Sequence, residues 1–356
     1  MKVLHVCETL LGGTGTYLNE LLPAMQKEMG EDRIFILVPE NHKEAIPDIK
    51  KSVFWFSRPT RKSGIFNLVK EYIKVMRKVR PDIVHAHSTF SGFIVRILSP
   101  FFRAKVIYCP HGFATDIKQS KLRKSIIGIV EKILSYFCSK IICISNHEKQ
   151  VGMDIGISEE KLVVIYNGIS KTPPKFTLVP WEDKRLKLLF VGRLDTQKGI
   201  DILLKAVSEM ESNVILYVIG GSVVGDDEIY FSKYKNVKAL GWRTSSEITA
   251  YMNECDIVVI PSLWEGFGLV AVEAMRVSKP VIASRVGGLA EIVTDEETGF
   301  LIPPGDAVAL GKCISSVNKE DLIKMGNKGK KRFLSNFTSD RMLSEVIDIY
   351  KSVVKN

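Results

Sequence analysis

The sequence predicts an α/β protein with two Rossmann-like, doubly wound parallel-sheet domains. Short apolar, β-rich runs alternate with helical patterns along the chain, and this alternation is typical of parallel strands joined by crossover helices. It stops at the polar, proline-bearing stretch 171–175 and then starts again. With 356 residues, the chain is long enough for two such domains, each with its own buried core.

The predicted N-terminal domain covers residues 1–172. Its opening residues lack the long apolar segment and the small-residue cleavage site of a signal peptide, and their pattern favours a buried first strand. The predicted strands of this domain are Lys2–Cys7, Ile34–Val38, Asp82–His87, Val106–Cys109 and Lys140–Ile144.

The predicted C-terminal domain covers residues 173–338, and a last helix with one apolar face follows at about 339–356. In doubly wound sheets ligands bind beyond the carboxyl ends of the strands, so we expect a ligand in the cleft between the two domains. The predicted strands of this domain are Leu186–Val191, Val214–Ile219, Val237–Leu240, Ile257–Ile260 and Val281–Ala283.

The charge of the chain is unevenly distributed. The net charge is +10, and residues 51–150 hold 19 Lys and Arg against 5 Asp and Glu. A basic surface of this kind can attract anionic lipid, nucleic acid or an acidic substrate. No run approaches the ~20 apolar residues of a membrane-spanning helix. The six cysteines form no Cys-x-x-Cys pair, which favours reduced, buried thiols over a metal or disulfide role.

The most informative segment is Pro261–Met275, which follows a predicted buried strand. Gly266 and Gly268 let backbone amides approach a ligand just where a helix begins, so the positive end of that helix would face an anion such as a diphosphate. At ~1.5 Å per residue, Glu273 lies about 7 Å further along the helix axis than Gly268. A carboxylate at that position can accept hydrogen bonds from a ribose. Glu265 precedes the helix and can accept hydrogen bonds from sugar hydroxyls. The alternative is a pair of surface glutamates flanking an ordinary helix.

Two cations follow the first strand of the C-terminal domain. Arg193 and Lys198 would flank the strand-to-helix turn, where Arg offers a planar fork and Lys a point charge to a pyrophosphate. They would replace a divalent ion, because the chain has no Asp-x-Asp motif and no His, Asp or Glu set with ligand spacing. We therefore expect no metal and no cofactor. Taken alone, the two cations could equally be solvated loop charges.

The N-terminal domain has weaker candidates. The loop around Gly12 and Gly13 is a candidate for binding phosphate or an acceptor, although Leu18 stands where a dinucleotide-binding motif has its third glycine. His111 comes directly after a predicted strand and would face the cleft. His85 and His87 alternate along a strand, and we expect them to point to opposite faces, which would make them poor metal partners for each other.

Together these segments resemble the retaining glycosyltransferases of family four, which have the GT-B architecture. The resemblance covers nearly the whole chain. The matching pieces are Gly12-Gly13, Pro81–His87, His111-Gly112, Asn167-Gly168, Gly192-Arg193 with Lys198, Glu265–Glu273 and Glu297–Ile302. One departure is the segment Met275–Pro280, where similar proteins usually carry small residues and a glycine before the proline, and we expect Ser278 to alter the helix end.

The resemblance implies an acceptor-binding N-terminal domain, onto which the last helix packs back, and a donor-binding C-terminal domain. The implied catalytic residues are His111 and Glu265. The implied donor-binding residues are Gly13, Arg193, Lys198, Gly266, Phe267, Gly268, Leu269, Val270 and Glu273. The implied reaction transfers a sugar from a nucleotide-diphosphate sugar, by family frequency a UDP-sugar, to a glycan or polyprenyl-diphosphate-linked acceptor.

Three further expectations concern partners and alternatives. The segment Lys118–Ile127, with Arg58, Arg61 and Lys62, is basic beside apolar residues and predicts contact with anionic lipid on the inner face of the membrane of a cytoplasmic protein. The enzymatic alternative is a GT-B sugar-nucleotide epimerase. A nucleic-acid-binding role is disfavoured because no basic motif is interleaved with aromatic residues.

Overall fold

A computed structural model describes residues 1–355 except 11, 47, 48, 50, 51, 59, 117, 118, 180 and 222–230. Lys118 and the side chains of Arg61 and Lys62, which belong to the predicted lipid-contacting segment, lie outside the described residues. Contacts divide the chain into two units. Unit 1 comprises Met1–Ile169 and Ser339–Asn356, and unit 2 comprises Ser170–Thr338.

Unit 1 contains a seven-stranded parallel sheet. Its strands are β1 (Val3–Cys7), β2 (Ile34–Pro39), β3 (Val53–Phe56), β4 (Ile83–His87), β5 (Lys105–Cys109), β6 (Lys140–Cys143) and β7 (Leu162–Val164), in the order β3-β2-β1-β4-β5-β6-β7. Its helices include α1 (Gly13–Met29), α2 (Arg61–Val79), α3 (Thr89–Leu98), α4 (Lys121–Ser135) and α5 (Asn146–Asp154).

Unit 2 contains a six-stranded parallel sheet. Its strands are β8 (Leu186–Val191), β9 (Val214–Ile219), β10 (Val237–Gly241), β11 (Ile257–Ile260), β12 (Val281–Ser284) and β13 (Gly299–Ile302), in the order β10-β9-β8-β11-β12-β13. Its helices include α6 (Ile200–Val207), α7 (Ser245–Glu254), α8 (Leu269–Arg276), α9 (Leu289–Ile292), α10 (Ala307–Ser316) and α11 (Lys319–Asn336).

The strands are apolar because helices cover both faces of each sheet. All five residues of β1 and all six of β9 are buried, as expected for parallel strands in the middle of a doubly wound sheet. The predicted α/β class with two parallel sheets is therefore confirmed. Among the described residues, no helix combines the length and apolarity needed to cross a bilayer. The six cysteines are free thiols, and all but the half-buried Cys313 are buried.

The last helix, α12 (Ser339–Lys355), belongs to unit 1. Its buried side packs against α1. The Ser339 amide donates to the Ile169 carbonyl at 2.9 Å, and the Tyr350 hydroxyl lies 2.6 Å from Nδ1 of His85 on β4. The chain thus enters unit 2 after Ile169 and returns to unit 1 at Ser339.

Among the described helices, three begin at a glycine with positive φ instead of at a capping side chain. These N-caps are Gly12 of α1, Gly199 of α6 and Gly268 of α8. By contrast, α4, α5, α7 and α11 begin at Ser, Thr or Asn side chains that accept a backbone amide. The first amides of a helix have no acceptor within it, so a glycine start leaves them without a side-chain cap.

Candidate functional site

Most candidate residues follow the strands at which each sheet reverses its order, and His111 follows the neighbouring strand β5. In unit 1 the order reverses between β1 and β4, and in unit 2 between β8 and β11. At such a switch point the loops from two neighbouring strands leave in opposite directions and open a crevice at their carboxyl ends. In unit 2, the loop after β8 carries Arg193 and Lys198, and the loop after β11 carries Glu265.

An ion pair joins the two loops of unit 2. Lys198 Nζ lies 2.5 Å from Glu265 Oε2, and the two side chains are 21% and 14% exposed. The Ser262 hydroxyl donates to the same carboxylate oxygen at 3.4 Å. The structure thus brings together two predicted site residues that are 67 positions apart in the chain.

Arg193 donates to Gln197, which in turn bonds to the loop that carries Glu265. Its guanidinium donates to the Gln197 side chain at 2.8 Å and lies 3.1 Å from Asp195, with half of the Arg193 side chain exposed. The Gln197 side-chain amide group donates to the Trp264 carbonyl at 3.2 Å, and the Gln197 backbone carbonyl accepts from the Leu263 amide at 2.8 Å. Several hydrogen bonds and one ion pair therefore join the loop after β8 to the loop after β11. The half-exposed guanidinium of Arg193 lies beside them.

The turn before α8 packs closely against the turn before α9 and against Leu289. Gly268 has φ +107°, and a Cβ there would lie 2.4 Å from a Leu289 methyl group. A Cβ on Gly287 would lie 1.8 Å from the Glu265 carbonyl oxygen. Side chains are excluded at both positions, so the glycine turn before α9 fits directly against the Glu265–Phe267 backbone.

Within residues 266–270, the Phe267 side chain packs into the interior of unit 2. The Phe267 ring is buried and packs edge-on against Phe337, with ring centroids 6.0 Å apart. Leu269 and Val270 lie in the first turn of α8, where amides have no acceptor within the helix.

Glu273 belongs to the half-buried face of α8. Leu269, Val270 and Glu273 are half-buried, whereas the positions between and after them, Ala271, Val272, Ala274 and Met275, are buried. Residues three and four apart are neighbours on a helix surface, so Glu273 shares a face of α8 with Leu269 and Val270 of its first turn. That Glu273 binds a ribose stays a prediction.

In unit 1, three histidines form a row at the switch point. His5 Nδ1 lies 3.0 Å from His87 Nε2, and His87 Nδ1 lies 3.1 Å from His111 Nε2. His5 and His87 are fully buried, and His111, at φ +55°, is half-buried above them. His87 lies at the carboxyl end of β4, but it is fully buried and contacts the half-buried His111.

The expectation that His85 and His87 point to opposite faces was wrong. Their ring centroids are 4.1 Å apart, and both side chains are fully buried. The reason is that side chains alternate with a period of two residues along a strand, so positions i and i+2 share a face. Both histidines therefore face the helix layer that contains α12.

Burial keeps these imidazoles neutral. It lowers the pKa of His5 and of His111 to about 3. The pKa of His85 and of His87 is also lowered, by burial first and then by the neighbouring histidines. A neutral imidazole has one donor and one acceptor nitrogen, so His111, whose Nε2 faces His87, can make one hydrogen bond to a hydroxyl group through Nδ1 without carrying a charge.

Further groups hold the His111 turn. The Tyr17 ring, from the first turns of α1, packs edge-on against His111 with centroids 4.8 Å apart. The Gly112 amide donates to buried Glu148 at 2.5 Å. Burial raises the pKa of Glu148 to about 7, although bonds from the Ile144 and Gly112 amides lower it. Gly13 is exposed at the start of α1.

Two groups of side chains lie close enough to share a metal ion. The ligand atoms of His5, His85 and His87, and those of His87, Cys109 and His111, lie within 4.8 Å of one another. No such set was visible in the sequence, because the sheet brings together residues from β1, β4 and β5. Several of these nitrogens already bond one another or Tyr350, whereas Nε2 of His5 and Nε2 of His85 are buried without a hydrogen-bond partner among the described residues.

Several site residues were not predicted. They are His5, Tyr17, Glu148, Gln197, Ser262, Gly287, Gly288 and Tyr350. Two signals were available: a histidine in the otherwise apolar β1, and the glycine pair Gly287-Gly288 in the turn after β12. A buried polar residue and paired glycines both need a local reason. Tyr350 had no signal, because it reaches His85 across 265 positions.

Two family models match the chain in succession. The model described as Glycosyltransferase Family 4 matches residues 11–172. The model described as Glycosyl transferases group 1 matches residues 175–332.

Three relatives are similar over most of their length. An uncharacterized 41.2 kDa protein in the cps region of Klebsiella pneumoniae is 34% identical over 99% of this chain and 100% of its own. An uncharacterized glycosyltransferase of Methanocaldococcus jannaschii is 30% identical over 99% of both chains. The UDP-Gal:alpha-D-GlcNAc-diphosphoundecaprenol alpha-1,3-galactosyltransferase of Escherichia coli is 27% identical over 80% of this chain and 78% of its own.

Among solved structures, that of Anabaena HepE in complex with UDP-glucose is similar with a TM-score of 0.84, at 21% identity over 99% of this chain and 100% of that chain. A likeness at this identity shows the fold alone. That fold is the two-domain GT-B fold.

Proposed function

This chain belongs to glycosyltransferase family 4, and on that premise we propose that it is a retaining hexosyltransferase that uses a UDP-sugar and needs no metal ion. Its acceptor is a glycan or a polyprenyl-diphosphate-linked glycan in surface polysaccharide synthesis. The donor class is supported by the UDP-glucose bound to the Anabaena structure. The acceptor class is supported by the lipid-linked acceptor named for the Escherichia coli relative and by the cps region of the Klebsiella protein.

The observation that carries the proposal is the Lys198–Glu265 pair beside the uncapped start of α8. Glu265 holds the ammonium group at the switch point of unit 2, and Arg193 adds a half-exposed guanidinium. Together with the amides of Leu269 and Val270, these groups place positive charge where a diphosphate would lie. Such fixed charges stabilise a leaving phosphate most strongly in a partly buried site.

The proposed chemistry follows from that charge. The bond between the sugar C1 and the β-phosphate oxygen breaks, and the acceptor oxygen bonds to C1 from the same face. The acceptor proton passes to the departing phosphate, which leaves as UDP. Arg193, Lys198 and the amides at the start of α8 would stabilise the charge on that phosphate, which is the role otherwise taken by a divalent ion.

The remaining residues bind and orient the substrates. Glu273 would accept hydrogen bonds from the ribose, and Glu265 from hydroxyls of the transferred sugar. His111, neutral at physiological pH, would make one hydrogen bond to the same sugar, and Gly13 would leave room at the start of α1. We place the reaction at the inner face of the cell membrane, where lipid-linked acceptors are found.

Thermal-shift binding of UDP-, GDP- and ADP-sugars tests the donor site. We expect UDP-sugars to raise the melting temperature of the wild type and of Lys205→Ala, an exposed change on α6, but not that of Arg193→Ala or Glu273→Ala. If all four proteins respond alike to every donor, the site assignment fails.

Product analysis tests the reaction itself. With a UDP-hexose, an acceptor and EDTA, we expect UDP release and a product with the anomeric configuration of the donor, measured by NMR. Isomerised UDP-sugar without transfer would instead identify an epimerase. Loss of activity in EDTA that returns with Mg²⁺ or Mn²⁺ would contradict metal independence.

A further inference from the structure

Helix α4 of unit 1 exposes a stripe of large apolar side chains. Its members, which we call the α4 stripe, are Leu122, Ile126, Ile129 and Ile133, with exposed fractions of 72%, 54%, 59% and 53%. At ~100° per residue, the spacing of four, three and four positions places all four within about 60° of one another around the helix. The opposite side of α4 carries the buried Gly128, Glu131, Leu134 and Ser135. The stripe therefore points directly away from the core.

Helix α3 extends this apolar surface. It packs beside α4 and exposes Phe93 and Ile97, and the following turn exposes 78% of Phe101. Of the exposed large hydrophobic residues in the described part of the chain, most lie in unit 1 between residues 66 and 137. Single exposed apolar residues are ordinary, whereas a contiguous set marks a binding surface.

A buried ion pair fixes the two helices to each other. Arg96 of α3 donates to Glu131 of α4 at 2.8 Å, and their side chains are 0% and 4% exposed. The Arg96 guanidinium also stacks on the Tyr108 ring, 3.9 Å from its centroid. The apolar residues of α3 and α4 therefore sit on a rigid base, which lowers the entropy cost of binding through them.

The charges around the stripe are positive. Lys121 and Lys132 flank it on one side and Arg123 on the other, and all three are exposed. Between Thr89 and Phe137 the sequence has two carboxylates, Asp116 and Glu131. Glu131 is buried against Arg96, and Asp116 lies 3.0 Å from His147.

We propose that α3 and α4 dock unit 1 onto an anionic lipid bilayer, with α4 lying in the interface plane. The α4 stripe would enter the acyl boundary, and Lys121, Arg123 and Lys132 would contact anionic headgroups. A second copy of the chain fits this surface poorly, because it would oppose these cations with the same cations. The proposal rests on the proposed function, because it identifies the surface that would hold the enzyme at the membrane. Vesicle binding requires neither donor nor acceptor, so the test of this proposal is independent of transfer activity.

Sedimentation with vesicles tests the apolar contact. We expect the protein to sediment with vesicles of phosphatidylcholine and phosphatidylglycerol in equal parts, and Ile126→Ser/Ile129→Ser to lower the partition coefficient about tenfold or more. The matched control is Ile323→Ser/Leu334→Ser on α11 of unit 2, where the original side chains are 65% and 46% exposed. It should bind like the wild type. Equal losses in both variants would overturn the proposal.

A second variant set tests the charges. Lys121→Gln/Arg123→Gln/Lys132→Gln should lower partitioning to the anionic vesicles about tenfold or more and leave partitioning to pure phosphatidylcholine unchanged. Lys312→Gln/Lys328→Gln/Lys331→Gln, which neutralises three exposed lysines of unit 2, is the matched control. Equal wild-type partitioning to neutral and anionic vesicles would overturn the proposal. So would a change of oligomeric state, rather than of vesicle binding, in the Ile126→Ser/Ile129→Ser variant, measured by light scattering.

Discussion

At the level of single residues, the proposed mechanism depends most on Lys198. Its ammonium group is held 2.5 Å from Glu265 at the carboxyl end of β8, beside the start of α8. We expect Lys198→Ala to lower kcat/KM about 10²-fold to 10³-fold, because removing one group that stabilises developing charge has an effect of that size. Steady-state kinetics with a UDP-sugar measure it.

Lys205→Ala provides the comparison for this prediction. Lys205 is exposed on α6, and its removal should leave kcat/KM within twofold of the wild-type value, as expected for a surface change of about 0.5 kcal/mol or less. Similar losses in both variants would show that Lys198 acts only through the general charge of unit 2.

The buried histidines predict how stability depends on pH. His5 is neutral in the folded chain because burial lowers its pKa from 6.5 to about 3. The unfolded chain binds this proton below pH 6.5 and the folded chain does not. The free energy of unfolding should therefore fall as the pH drops from about 6.5 towards 3, by about 1.4 kcal/mol per pH unit for such a histidine.

His5→Gln isolates that contribution. The variant removes one titrating group. Between about pH 6 and about pH 4, its free energy of unfolding should therefore fall less steeply than that of the wild type, and the two slopes should differ by about 1.4 kcal/mol per pH unit, which corresponds to one proton. Urea unfolding at several pH values measures both slopes. Parallel curves for the two proteins would contradict a neutral His5 in the folded state.

At the level of elements, most strands were predictable, but three of the four strands at the edges of the two sheets were not. All ten predicted strands are observed, with ends shifted by one residue at most at either end, because each is a largely apolar, β-rich run between turn residues. The strands missed were β3, β7 and β13, which contain half-buried residues. Short strands at or near a sheet edge bury less side-chain area and therefore leave a weaker apolar pattern.

The site shows the same division. Arg193, Lys198, Glu265 and the α8 start were recognisable because each follows an apolar strand within a glycine-bearing turn. Their contacts were not, since the Lys198–Glu265 pair depends on β8 and β11 being neighbours in the sheet. The histidine row required the correct period of β4 and the position of β1 beside it.

The backbone conformation of Ser278, just after α8, predicts how a glycine at this position would change the stability of the protein. This residue has φ +60°, a left-handed conformation that costs a side-chain-bearing residue about 1–2 kcal/mol. Its carbonyl also lies against Gly326, where an added Cβ would be 2.0 Å from the oxygen, so the turn cannot relax easily. We expect Ser278→Gly to raise the free energy of unfolding by about 1 kcal/mol, after the greater flexibility of glycine in the unfolded chain is included.

Ser315→Gly is the matched control. Ser315 is exposed within α10, where the same substitution should lower stability by about 0.5 kcal/mol. Thermal unfolding of both variants distinguishes the two positions. A loss of stability in Ser278→Gly would show that the serine side chain offsets the strain of its backbone.

At the level of the whole molecule, the path of the chain makes unit 1 dependent on its last helix. Unit 1 is completed only when α12 returns after unit 2. This helix contributes six buried residues, Met342, Leu343, Val346, Ile347, Tyr350 and Val353. Burying a large apolar side chain stabilises a protein by about 1.5–3 kcal/mol, so α12 contributes an amount comparable to the ~5–15 kcal/mol stability of a domain.

We therefore expect deletion of residues 339–356 to unfold unit 1 and to leave unit 2 folded, because the sheet and core of unit 2 lie within Ser170–Thr338. Hydrogen exchange read by mass spectrometry should show lost protection in β1, β4 and α1 and retained protection in β8, β9 and β11. Removing only residues 354–356 is the control, since Val354 and Lys355 are exposed and their loss should change little. Uniform loss of protection across both units would mean that unit 2 needs a folded unit 1, and would overturn the division of stability argued here.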